Sequence, residues 1–148
     1  MKIKLPIAVL MMFGFITCTK DSYNTSPTLK FESVNGTVFP RLSVVTFNLQ
    51  CTDKEGDVID TIWIKRISKV PFCEADASYY DSIPIPNFDP PKDVKADFQL
   101  SYNYGGSAPS LQGCSEHDDT VYFKFWMHDK AQHVSDTVQS PQIVLLKE

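Results

Sequence analysis

The residues best suited to chemistry in this chain are carboxylates set in short turns. Asp53, Glu55 and Asp57 alternate along one turn, and Asp129 opens another that runs to His133. Hard divalent cations such as calcium take carboxylate oxygens, so these four residues form a candidate calcium pole. The competing reading is structural. Aspartate accepts local backbone hydrogen bonds and tolerates tight turns, and the Asp-x-Asp-x-Asp-Gly ladder of a calcium loop is absent. The structural reading is preferred, and neither a metal nor a cofactor is expected. Ser115, Glu116, His117 and Asp118 carry the groups of a hydrolase. They are contiguous, however, and no strand-turn-helix frame presents one of them as a nucleophile. No catalytic residue is expected, and a small hydrolase stands only as a remote alternative. His128 and His133 flank a turn without a third ligand, too few for zinc. Phe72, Tyr79, Tyr80, Tyr102 and Tyr104 are the candidate contact residues, because amphipathic rings suit a protein or a carbohydrate. Sandwich cores and edge strands use the same residue types.

The elements that position these groups show a period of two. Leu29, Phe31 and Ser33 share one phase before the turn at Asn35-Gly36. Val45, Phe47, Leu49 and Cys51 share another and stop at the acidic turn. Phe98, Leu100, Tyr102 and Tyr104 alternate cleanly, as do Val121, Phe123, Phe125 and Met127. Ile62 and Ile64 begin a third strand, but Trp63 and Ile67 occupy the opposite phase, so the core face there is open. Prolines at 71, 84, 86, 90 and 91 leave Tyr79 to Ile83 as a short edge strand, and Pro141 interrupts the last segment, Val134 to Leu146. Seven strand-like segments without a competing helical window predict an all-β chain with a Greek-key sandwich.

The leader supplies an address. Lys2 and Lys4 precede a run from Leu5 to Ile16 without a charged side chain, and Cys18 follows. This is the plan of a secretory signal over residues 1–17, and its apolar run is shorter than the roughly 20 residues of a membrane span. Phe15-Ile16-Thr17-Cys18 resembles a bacterial lipobox, which implies that Cys18 is lipidated and begins the mature chain. Thr19-Lys20-Asp21-Ser22 is similar to the Cys-x-Lys-acid tags of Bacteroidota lipoproteins carried to the cell surface, which implies an outer-membrane, surface-exposed location. Residues 18–28 then read as a lipidated tether and 29–148 as one domain. Of the 14 basic residues, Lys2 and Lys4 belong to the leader, and the rest face 18 acidic ones. The mature charge of about −6 disfavours nucleic acid and leaves the Cys18 lipid as the membrane contact.

A second resemblance concerns the fold. The segment from Phe47 through Asp57 is similar to the B strand and B-to-C turn of immunoglobulin-like and fibronectin-III-like modules in Bacteroidota lipoproteins. Phe123 through Asp136 resembles their closing hairpin. The resemblance implies an immunoglobulin-like Greek-key β-sandwich of about seven strands. It departs at Lys124, which stands where a cysteine partner for Cys51 would be, so the usual intersheet disulfide is not expected. In this topology the acidic turn, the segment from Pro86 to Asp97 and the turn at Asp129 gather at one pole. The loops carrying Cys73 and Cys114 gather at the other, where a Cys73/Cys114 disulfide is expected. Asp60-Thr61-Ile62, Asp81-Ser82-Ile83, Asp119-Thr120-Val121 and Asp136-Thr137-Val138 resemble Bacteroidota O-glycosylation sites, with Thr61, Ser82, Thr120 and Thr137 as acceptors. Turns that run into strands have the same sequence. The function implied is a non-enzymatic cell-envelope lipoprotein presenting its sandwich to an unknown glycan or protein. The alternative is an accessory or structural subunit of an envelope assembly.

Overall fold

The computed structural model describes residues 24–58, 60–70 and 80–147. The segment expected to be a leader, Cys18, Phe72, Cys73 and Tyr79 lie outside the described residues. The chain is all-β, with no helix among the described residues. Where about seven strands are expected, ten segments occur among the described residues: β1 (Thr28–Val34), β2 (Val38–Phe39), β3 (Val44–Asp53), β4 (Thr61–Ser68), β5 (Tyr80–Pro84), β6 (Val94–Tyr104), β7 (Ser110–Leu111), β8 (Asp119–His128), β9 (Val138–Gln139) and β10 (Ile143–Leu145). The surplus is made of two- and three-residue pieces that sequence periodicity is too short to detect.

One sheet has the order β1-β3-β6-β7, and the other β2-β10-β8-β4-β5 with β9 also on β8. Both are mixed, because β7 pairs with β6 and β2 with β10 in parallel, while the long pairs are antiparallel. The alternating phases decide which side chains fill the space between the sheets. Phe47 of β3 lies 4.8 Å from Phe123 and 5.2 Å from Phe125 of β8, measured between ring centres, and Phe31 of β1 lies 6.0 Å from Phe125. Burying an aromatic ring of this kind contributes about 2–3 kcal/mol. The open phase of β4 resolves with Ile62, Ile64, Arg66 and Ser68 inward and Trp63, Lys65 and Ile67 outward.

The last segment follows β8 in three separate pieces, the third of which, β10, is covered in turn by β2. Val134 bridges His128, β9 pairs with Lys124 and Phe125, and β10 pairs with Asp119 to Val121. At the two breaks, buried serines take over the ladder. The amide of Met127 donates to Ser135 Oγ at 3.0 Å, and the amide of Phe123 donates to Ser140 Oγ at 2.9 Å. The hydroxyls pass these bonds to the carbonyls of Asp136 and Pro141, so no donor of β8 is orphaned where the edge leaves it.

Candidate functional site

The core-facing phase of β3 ends on Asp53, two residues beyond Cys51, and that of β8 continues past Met127 to Asp129. Strand alternation therefore drives two carboxylates inward at the same pole, and both are fully buried. The turn after β3 brings up a third. Asp53, Asp57 and Asp129 each offer a carboxylate oxygen, and these atoms all lie within 4.8 Å of one another. Glu55 does not join them. Its side chain is exposed, and its amide donates to Asp53 Oδ2 at 2.9 Å beside that of Gly56 at 2.7 Å.

The turn is fixed from several sides. Gly56 holds φ at 76°, and a Cβ there would lie 2.3 Å from the Pro91 carbonyl oxygen, so no other residue fits. The Lys54 carbonyl accepts from Asp93, the Asp57 carbonyl accepts from Lys130, and the Lys54 amide donates to the Asn24 carbonyl. The expected grouping of turns at one pole is found, with the entry to β1 beside it. Burial pushes the Asp53 carboxyl above the ordinary carboxylate range, and Asp57 adds to the rise. Among the described residues the one basic partner is His133, whose Nδ1 lies 2.9 Å from Asp129 Oδ2; its amide donates to Asp129 Oδ1 at 2.7 Å. That contact raises the imidazole pKa. Burial first, then Asp53 and Asp129, push the Cys51 thiol up to about 12.

A second region lies on the outer face of β5, β4 and β8. Trp63 and Trp126 are opposite one another in the ladder, with ring centres 6.4 Å apart and planes inclined by 10°. Tyr80 leans on both, at 5.2 and 5.6 Å, and His128 packs on Trp63 at 6.1 Å. Lys65 and Lys124 are the next cross-strand pair on this face, and neither meets a carboxylate among the described residues. Thr61, Ser82 and Thr120 share the face, and Thr137 is exposed just before β9.

Several expectations change. Tyr102 and Tyr104 are 1% and 2% exposed and belong to the core, so they are not contact residues. Their phase, shared with Leu100, carried that information. Of the expected aromatic set, Tyr80 is the exposed member among the described residues. Trp63 and Trp126 were missed, although both occupy the phase opposite apolar neighbours. His128 and His133 serve different partners and form no pair. Ser115, Glu116, His117 and Asp118 are all exposed. Cys51 is free and buried; Cys114 is buried and disulfide-bonded, and its expected partner, Cys73, lies outside the described residues.

No protein-family model matches the chain, and no curated protein matches it. Among solved structures it is similar to the sporulation control protein Spo0M from Bacillus subtilis, with a TM-score of 0.47 and 10% identity over 83% of this chain. It spans about half the length of that protein, 50%. It is also similar to a Niemann-Pick type C2 protein from the Japanese carpenter ant, with a TM-score of 0.43, 9% identity, 84% of this chain and 99% of that one.

Proposed function

We propose that this chain is a non-enzymatic lipoprotein of the outer cell surface, tethered through Cys18, whose immunoglobulin-like Greek-key sandwich binds a glycan. The strand order, β1-β3-β6 facing β5-β4-β8-β10, supports the Greek-key reading. The cluster of Trp63, Trp126 and Tyr80 on an open sheet face carries the glycan reading, since sugar rings present apolar faces that stack on aromatic rings. Lys65 and Lys124 favour a sugar chain that bears carboxylates, because like charges set opposite one another in a ladder repel until an anion lies between them. Lys65, Lys124, Ser82 and Thr61 also interrupt the apolar surface that a protein partner would bury. The disulfide proposed for Cys114 is with Cys73, as Cys51 is free.

The test is calorimetric titration of uronate-containing and neutral oligosaccharides of equal length. The uronate chain is expected to bind, and a Trp63→Ala/Trp126→Ala variant to bind at least tenfold more weakly while retaining its fold. Equal affinity for the double variant removes the glycan reading. Mass spectrometry of the N-terminal peptide tests the tether, which fails if Cys18 carries no lipid.

A further inference from the structure

The acidic pole lacks the positive charge that its burial demands. Three carboxylates whose oxygens lie within 4.8 Å of one another repel when ionised. Among the described residues, His133 is the one basic group in contact; when protonated it offsets at most one of them, and it is spent on Asp129. Lys130 lies nearby but forms no ion pair among the described residues. The Oδ1 atoms of Asp53 and Asp57 are both sealed from solvent and accept from no donor among the described residues. Asp53 is buried entirely, so one oxygen of a fully desolvated carboxylate stands without a partner beside two further carboxylates. An open depression of about 310 Å³ borders the cluster at Asp57, lined also by Gly56, Asn87, Asp89 and Lys130.

We propose that Asp53, Asp57 and Asp129 hold a divalent calcium ion that ties the turn after β3 to the turn after β8. Calcium fits better than the other common cations. The donors are all oxygen, and calcium accepts irregular sets of six to eight. Magnesium demands near-ideal octahedral geometry and sheds water reluctantly, whereas zinc would draw on imidazole or thiolate, and His133 Nδ1 is already engaged with Asp129. The ion would join the two sheets at their ends, because Asp53 belongs to one and Asp129 follows a strand of the other.

Thermal unfolding of the full chain, first treated with EDTA, should be followed against added CaCl2, MgCl2 and ZnCl2. Calcium at 10 mM is expected to raise Tm by about 5 °C in a saturable manner, with magnesium weaker and zinc without a matching effect. Asp57→Asn, whose side chain is only partly buried, should remain folded by circular dichroism and lose the calcium response. Should that variant fold poorly, calorimetric titration of the unaltered chain decides alone. A Tm indifferent to calcium, a titration without heat, a full response in the variant, or zinc outperforming calcium would each overturn the proposal.

Discussion

The core-facing row of β8 begins on Asp119 and finishes just beyond the strand on Asp129, and the two ends are treated differently. At the first, Arg66 of β4 also points inward, with Nη1 3.5 Å from Asp119 Oδ2, and Ser68 Oγ donates to Asp119 Oδ1 at 2.5 Å. Arginine and aspartate are both fully buried, and each offsets the charge of the other. At the second, three carboxylates converge, and among the described residues only Asp129 meets a basic side chain, the half-exposed imidazole of His133. The same strand thus shows two solutions to a buried aspartate. One is closed by the chain itself, and the other is left to something from outside. A buried pair of the first kind resists separation because an orphaned partner stays desolvated.

The largest effect should follow from breaking the closed end. Asp119→Ala is expected to cost about 3–5 kcal/mol in denaturant unfolding, by leaving the Arg66 charge buried, and Arg66→Met combined with Asp119→Leu should cost less than either partner removed alone. A loss below 1 kcal/mol for Asp119→Ala would show that this end is not held by its charges. Next in size is the disulfide of Cys114, for which Cys73 is the proposed partner. Cys73→Ser and Cys114→Ser should each destabilise by about 3–4 kcal/mol, with little added in the double variant, since a single bond closing about 40 residues is lost each time. Additive losses would refute the pairing. At the open end the sign reverses: in EDTA, Asp57→Asn should leave stability unchanged or raise it by about 1 kcal/mol, as one repelling charge is removed. A marked loss in the absence of metal would mean that the carboxylates are already balanced. The smallest effect is a probe of that end. Cys51, two residues inside Asp53, should stay unmodified by iodoacetamide at pH 8, where a pKa of about 12 leaves roughly one thiol in ten thousand ionised, and should react at once in denaturant. Rapid native labelling would place the thiol outside the core.

Periodicity revealed the long strands because their inward residues are uniformly apolar in mid-strand. It failed on β4 because Arg66 and Ser68 lie inward while Trp63 and Ile67 lie outward, so each phase carries both kinds of residue and only the partner Asp119, 53 positions away, explains the choice. For the acidic cluster, the turn residues were legible, but the depth of Asp53 and Asp129 was not extracted from their phase. Their burial also separates them from Glu55, which composition alone groups with them. Tyr102 and Tyr104 show the opposite error, where residue type outweighed position. The aromatic face could not be found from spacing, since Trp63, Tyr80 and Trp126 meet only through strand pairing across distant segments.

The interrupted last edge has a consequence for self-association. A long, regular edge strand is a template on which another chain can add, and sheets commonly protect themselves with breaks, prolines or charge. Here Ser135 and Ser140 let the final segment leave the ladder twice without exposing the amides of β8, and Pro141 removes one donor from the segment itself. An incoming strand would find register along β9 for two residues and then lose it, and β10 is already covered by β2. The two hydroxyls therefore act as insulation for β8, occupying the amides on which an incoming strand would otherwise add.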